Sequence, residues 1–311
     1  MTTLSIEELE VQYQLRDKTI RAVDKVSLFL KNNESLGIVG ESACGKSTLG
    51  LAIIRSVPGG KIVNGDITLD GKSTLKMTEA EFAKTVRWKK ISMVFQGAMN
   101  SLDPVFSIRQ QFEEILQAHD YRGDRQKTIN DIIDSVGLPP TVLDKFPHEL
   151  SGGMKQRVVI AMALVLRPSL VIADEPTTAL DVLVQAQILS LLKKLKKEGM
   201  SLILISHDLG IISEIADNVG IMYAGKIVEF GTLQEVYSNP KHPYTQALFK
   251  SMPKIKGEPE LISLKGTPPN LANMQTGCRF YDRCTHAMEK CRKEPPKIKT
   301  ESGHVLCWLY E

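Results

Sequence analysis

Ser35-Leu36-Gly37-Ile38-Val39-Gly40-Glu41-Ser42-Ala43-Cys44-Gly45-Lys46-Ser47-Thr48 runs from an apolar stretch into a glycine-bracketed loop and a Lys-Ser pair. From Gly40 to Ser47 it matches the pattern GxxxxGK[ST]. The apolar stretch predicts a buried strand, and the residues from Lys46 onward predict a helix. A loop of this kind wraps backbone N–H groups around phosphate oxygens. The helix behind it aims its positive end at the same anion. Lys46 then reaches the β- and γ-phosphates and Ser47 ligates Mg²⁺. The candidate phosphate contacts are Gly40, Glu41, Ser42, Ala43, Cys44, Gly45, Lys46, Ser47 and Thr48. A bland Gly-rich turn is the competing reading, and the strand before and helix after the loop argue against it. Ala43 and Cys44 occupy places often held by Gly and by Ser or Gly. Ala43 is disfavoured only if its φ is positive.

Outward from this loop, Leu4 to Tyr13 and Ala22 to Leu30 alternate apolar and polar residues like strands. Asn64-Gly65 and Asp70-Gly71 bracket a short strand, Asp66 to Leu69. Ile91 to Phe95, Leu170 to Ala173, Leu202 to Ile205 and Val219 to Met222 read as buried strands. Residues from about Ser107 to Leu166 read as mostly helical, as do Asp181 to Lys197 and Leu209 to Asp217. This alternation predicts an α/β fold with a mainly parallel sheet. Beyond Gly231 the texture loosens, and prolines at 240, 243, 253, 259, 268 and 269 punctuate it. A boundary falls near residue 240, and no internal repeat is visible.

Leu170 to Ala173 ends in Asp174-Glu175. A strand buried on both faces can present carboxylates at its C-terminal end. Asp174 is read as holding Mg²⁺ through its water shell, and Glu175 as polarising the attacking water. An acidic turn before Pro176 is the plain alternative. In Leu150-Ser151-Gly152-Gly153-Met154-Lys155-Gln156, Ser151 can cap a helix that starts near Gly153, and the glycines admit close backbone approach. This second anion site is most economically read as serving a partner's nucleotide.

With these segments in hand, the sequence resembles the nucleotide-binding subunits of ABC transporters. The resemblance covers residues 1 to about 235, with every motif in family order. It implies a phosphate-loop ATPase with a RecA-like core, an antiparallel β subdomain and an α-helical subdomain at about 97–166. It also implies that Ser151, Gly152 and Gly153 contact ATP held by the opposite subunit. Gln96 matches the glutamine that senses Mg²⁺ and the attacking water. Ala179-Leu180-Asp181 matches the D-loop, and His207 matches the switch histidine at the γ-phosphate. The family's adenine-stacking aromatic is not where it is usually found, because Ile20 stands there. Tyr13 is the nearest candidate, with strand packing as its alternative.

The tail narrows the resemblance. Asn239-Pro240-Lys241-His242-Pro243-Tyr244-Thr245 and the stretch from Gly277 to Cys307 are similar to the loop-rich C-terminal extension of dipeptide and oligopeptide importers, with nickel uptake among the relatives. This places an ATPase domain at 1–240 and an extension at 241–311. From Lys250 to Glu311 there are 11 Lys/Arg against 7 Asp/Glu, and four of the five cysteines lie there. The spacings of Cys278, Cys284, Cys291 and Cys307 are not those of common zinc sites. In the subfamily they resemble a [4Fe–4S] site, which needs four Cys ligands. Zn²⁺ or free thiols remain open as alternatives.

Composition sets the outer limits. The 311 residues are 42% apolar and 24% charged, ordinary for a soluble globular chain. No window approaches the ~18 consecutive apolar residues of a membrane span, and the first residues do not read as a signal peptide. Net charge is +3, too small to argue for nucleic acid. Relatives that act on DNA or ribosomes carry a long coiled coil or two tandem cores. Here 54 residues separate Gln96 from Ser151, and each motif occurs once. The expected partners are two membrane permease subunits, a paralogous ATPase or a second copy, and indirectly an extracytoplasmic solute-binding protein. The expected place is the cytoplasmic face of the membrane.

Overall fold

A computed structural model describes residues 2–15, 17–178, 180–251, 266–274 and 276–311. The chain runs β1 (Thr2–Leu15), β2 (Lys18–Lys31), β3 (Ser35–Val39), α1 (Lys46–Ile53), β4 (Gly60–Leu69), β5 (Lys72–Ser73), α2 (Glu79–Thr85) and β6 (Ile91–Val94). There follow α3 (Ile108–Ala118), α4 (Arg125–Ser135), α5 (Gly152–Leu164), β7 (Leu170–Asp174), α6 (Val182–Lys197), β8 (Ser201–Ser206) and α7 (Leu209–Ile215). The last elements are β9 (Asn218–Tyr223), β10 (Lys226–Thr232), α8 (Leu233–Ser238), α9 (Pro243–Lys250), β11 (Lys297–Lys299) and β12 (His304–Leu306). The chain divides into two compact units.

One unit comprises Met1–Thr3, Leu30–Ser35 and Leu69–Ile205. Its centre is three parallel strands in the order β6-β7-β8, with Ile91 opposite Leu170 and Leu170 opposite Ser201. Every residue of these strands is buried, which is why they read as continuous apolar runs and not as alternating ones. Helices α3, α4 and α5 pack on one another. On α3, Ile108, Phe112 and Leu116 recur every fourth position and are fully buried, one helical face turned to a core. Ser107 and Gln110 close a capping box at its start, and Asp124 caps α4, so exposed N–H groups at both starts find acceptors.

The other unit comprises Leu4–Phe29, Leu36–Thr68 and Ser206–Glu311. Strands β2, β1 and β4 pair in that order. A separate ladder begins with β3 parallel to β9, Leu36 opposite Asn218. It continues antiparallel through β10 to β12 and β11. The tail therefore adds two strands to the sheet, within what the sequence predicted as a loop-rich extension. Glu229 and Phe230 pair with Val305 and His304. The two tail strands have three residues each, too few for an alternating pattern to register. No helix among the described residues is long and apolar enough to cross a membrane.

Candidate active site

In the second unit, β3 delivers the chain into the phosphate loop and α1 leaves it. Gly40 and Gly45 are required by close approach. A Cβ on Gly40 would lie 2.1 Å from the Met222 carbonyl oxygen, and one on Gly45 would lie 2.1 Å from that of Ala22. Gly45 also has φ 108°, as the residue that opens α1. Ala43 does take a positive φ, 61°. That left-handed geometry costs a residue with a Cβ about 1–2 kcal/mol, a strain that Gly at this place avoids.

Lys46 is buried, and its ammonium donates to the carbonyls of Gly40 and Glu41, both at 2.8 Å. The charge is thus held across the mouth of its own loop. The Cys44 thiol is buried and burial raises its pKa, with Lys46 opposing. It is a protonated packing group under the loop, as its place among Gly and Ser equivalents suggests. Tyr13 brings its hydroxyl to 3.3 Å from the Thr48 hydroxyl, and its ring lies under Gly60. His207 is exposed on the turn after β8. The next residue, Asp208, caps α7 by accepting from the N–H groups of Gly210 and Ile211.

In the first unit, Asp174 ends β7 opposite Ile205 and is 2% exposed. Glu175 then adopts φ 47°, so the chain turns and the two adjacent carboxylates leave β7 in different environments. The Glu175 N–H donates to the Ile205 carbonyl at 2.9 Å. Its carboxylate accepts from Gln96 Nε2 at 3.1 Å and from the Thr178 hydroxyl at 3.0 Å. The structure therefore joins Gln96 and Glu175, 79 residues apart, a contact that the sequence reading did not specify. Thr178 was not foreseen; it lies three residues on, and only the turn at Glu175 brings it back.

Two helix starts adjoin in the same unit. Ser151 caps α5 by accepting from the Met154 N–H at 3.3 Å. Asp181 caps α6 by accepting from Val184 at 2.9 Å. A Cβ on Gly153 would lie 2.8 Å from the Val184 side chain, so only Gly lets the two starts approach this closely. Ala179 lies outside the described residues.

The four tail cysteines gather in the second unit. The Cys278 N–H donates to the Cys291 carbonyl at 2.9 Å. The Cys278 thiol is pushed up to about 12, mainly by burial, with Cys291, Cys284 and Cys307 adding to the rise and a backbone hydrogen bond at Phe280 opposing it. Cys284 and Cys307 are raised by the same causes. The thiols share a neighbourhood, yet no group of three or more His, Cys, Asp or Glu among the described residues is disposed to hold a metal ion. The donor types suit a cluster or zinc, but their arrangement is not a ligand shell.

A buried strand, a glycine-bracketed loop with an inward lysine, and paired carboxylates at a second strand end define a phosphate-loop nucleoside triphosphatase. The chain belongs to the ABC transporter family, whose family model matches residues 23–178. The family model "Oligopeptide/dipeptide transporter, C-terminal region" matches residues 228–291. The chain is 42% identical to the dipeptide transport ATP-binding protein DppD of Caldanaerobacter subterraneus, over 99% of this chain and 97% of that protein. It is 43% identical to the oligopeptide transport ATP-binding protein OppD of Bacillus subtilis, over 98% of this chain and 88% of that protein. Among solved structures, it is similar to a dimeric post-hydrolysis state of the ATP-binding cassette MJ0796 bound to ADP and Pi. There the TM-score is 0.66 at 28% identity, covering 74% of this chain and 98% of the other.

Proposed function

We propose that the chain is the ATP-binding and hydrolysing subunit of a membrane importer for dipeptides or oligopeptides, working at the cytoplasmic face. The observation that carries the hydrolytic part is Glu175, turned by a left-handed backbone and held by Gln96 and Thr178. The substrate class rests on likeness to peptide-transport subunits over nearly the whole chain and on the C-terminal region model. Residues 1–240 form the ATPase domain in this reading, with a helical part at about 97–166, and 241–311 form the extension.

Roles follow from the chemistry of each group. The backbone from Gly40 to Thr48 cradles phosphates, and Lys46 neutralises their charge. Ser47, Gln96 and Asp174 would hold Mg²⁺, which would supply charge neutralisation at the phosphate oxygens. Glu175 accepts a proton from the attacking water, and Gln96 orients it. His207 donates to the γ-phosphate. Tyr13 positions Thr48 through their hydroxyl contact and offers its ring to the adenine. Ser151, Gly152, Gly153 and Asp181 complete the site of a partner ATPase subunit, either a second copy or a paralogue, so that hydrolysis waits for closure. Two permease subunits receive the motion, and an extracytoplasmic binding protein supplies the solute.

Reconstitution with co-purified permease subunits tests the whole reading. Di- or oligopeptides presented with their binding protein should raise ATP turnover several-fold, and Ni²⁺ should not. Stimulation by Ni²⁺ alone would move the chain to the nickel branch.

For the tail, we propose that Cys278, Cys284, Cys291 and Cys307 hold a [4Fe–4S] cluster. The support is the donor set, four Cys within one extension, the number a [4Fe–4S] cluster needs; binding would have to draw the thiols together, since among the described residues they are not disposed around a metal. Protein purified without air should be brown and should bleach with dithionite. Colourless protein with one zinc per chain would replace the cluster with Zn²⁺, and protein free of both metals would leave four thiols.

A further inference from the structure

The segment Cys278–Cys284 reaches the phosphate loop of its own unit directly through Arg283 and indirectly through Arg279. Arg283 forks onto the Glu41 carboxylate, with Nη1 to Oε2 at 2.7 Å and Nη2 to Oε1 at 2.9 Å. Nη1 also donates to the Tyr223 hydroxyl at 3.2 Å. The guanidinium lies 5.7 Å from the centre of the Tyr223 ring and 5.9 Å from that of Phe280. The Arg283 side chain is 6% exposed and that of Glu41 20%. From another direction, the Tyr244 hydroxyl accepts the Glu41 N–H at 3.0 Å. Four residues before Arg283, Arg279 pairs with Asp24 and donates to the Ala224 carbonyl. The next residue, Gly225, donates to the Cys44 carbonyl at 2.7 Å. Phe280, between the two arginines, is buried edge-on against Tyr223 and Tyr244.

Glu41 poses an electrostatic problem. It is an anion in a loop built to receive a polyphosphate, and an unneutralised carboxylate there repels the ligand. A bidentate guanidinium removes that repulsion and fixes the side chain in one orientation. The Tyr244 contact fixes the backbone of the same residue.

We propose that Arg283 is a positioning residue of the nucleotide site, through which the C-terminal extension sets the affinity of the phosphate loop for polyphosphate. The proposal rests on the ATPase reading. Arg283 touches no phosphate itself; it acts by neutralising and orienting Glu41. The extension thus tunes this site in addition to covering the sheet edge.

The test is a double-mutant cycle on Mg·ATP affinity, measured by titration calorimetry on the full-length chain. Arg283→Met should weaken binding about tenfold, since it leaves Glu41 uncompensated. Arg283→Lys, which keeps the charge without the fork, should weaken it less than about threefold. Glu41→Gln changes the side-chain charge and leaves the cradling backbone N–H in place, so it reports on the charge alone and should not weaken binding as Arg283→Met does. The double variant Glu41→Gln/Arg283→Met should recover most of the loss, a rescue that a merely structural role does not give. At saturating ATP, kcat should change less than about twofold, so the effect falls on KM. If Arg283→Met binds within twofold of the parent, or the double variant is as weak as Arg283→Met, the proposal is overturned while the ATPase reading stands. A parent chain that binds no Mg·ATP would overturn both.

Discussion

Glu175→Gln will bind Mg·ATP with near-parental affinity and hydrolyse it at least ~100-fold more slowly, the usual scale of a lost general base. The amide keeps the shape of the side chain. It can still accept from Gln96 and Thr178, which hold the carboxylate at 3.1 and 3.0 Å. What it loses is the ability to take a proton from water. The left-handed φ of 47° is a backbone property, so the turn that aims position 175 survives the change. The effect should therefore lie in kcat, with little change in KM. Steady-state phosphate release and equilibrium ATP binding on the same preparation separate the two. A variant that turns over at the parental rate removes Glu175 from this role.

Lys46→Met will lose ATP affinity by about 100-fold or more. A charge-assisted hydrogen bond contributes about 1.5–3 kcal/mol, and this ammonium has two phosphates to serve, so a loss near 3 kcal/mol corresponds to the stated factor. The variant should still fold. Lys46 is buried at 6% exposure, and a methionine chain of similar length fills the same space. The carbonyls of Gly40 and Glu41 lose a donor, which should cost at most about 1–3 kcal/mol. Calorimetric titration with Mg·ATP, beside thermal unfolding of the same variant, distinguishes lost binding from lost fold. Binding within tenfold of the parent would contradict the assigned role.

The site was legible wherever its chemistry is carried by short contiguous patterns. Gly40 to Ser47 spell their conformation locally, since the strand, the loop and the helix start are adjacent in sequence. Asp174-Glu175 is legible for the same reason, as the end of an apolar run. The hydrogen bond between Gln96 and Glu175 is not local; the family pattern named each residue separately, and neither residue's neighbours reveal the contact. The sign of φ at Ala43 was left open, because alanine is compatible with either hand until the loop is built. The contact between Arg283 and Glu41 spans 242 residues and leaves no trace in local composition, since an arginine between cysteines reads equally well as counter-charge to a cluster. The tail strands were missed because three residues cannot show a period of two. Their place is set by the free edge of β10 and not by their own pattern.

Sedimentation velocity on the Glu175→Gln chain, alone and mixed with a paralogous ATPase subunit, reads the assembly directly. With Mg·ATP the species should be a pair of ATPase subunits, and with Mg·ADP it should be single subunits. Single subunits at saturating Mg·ATP in both samples would contradict the shared-site mechanism.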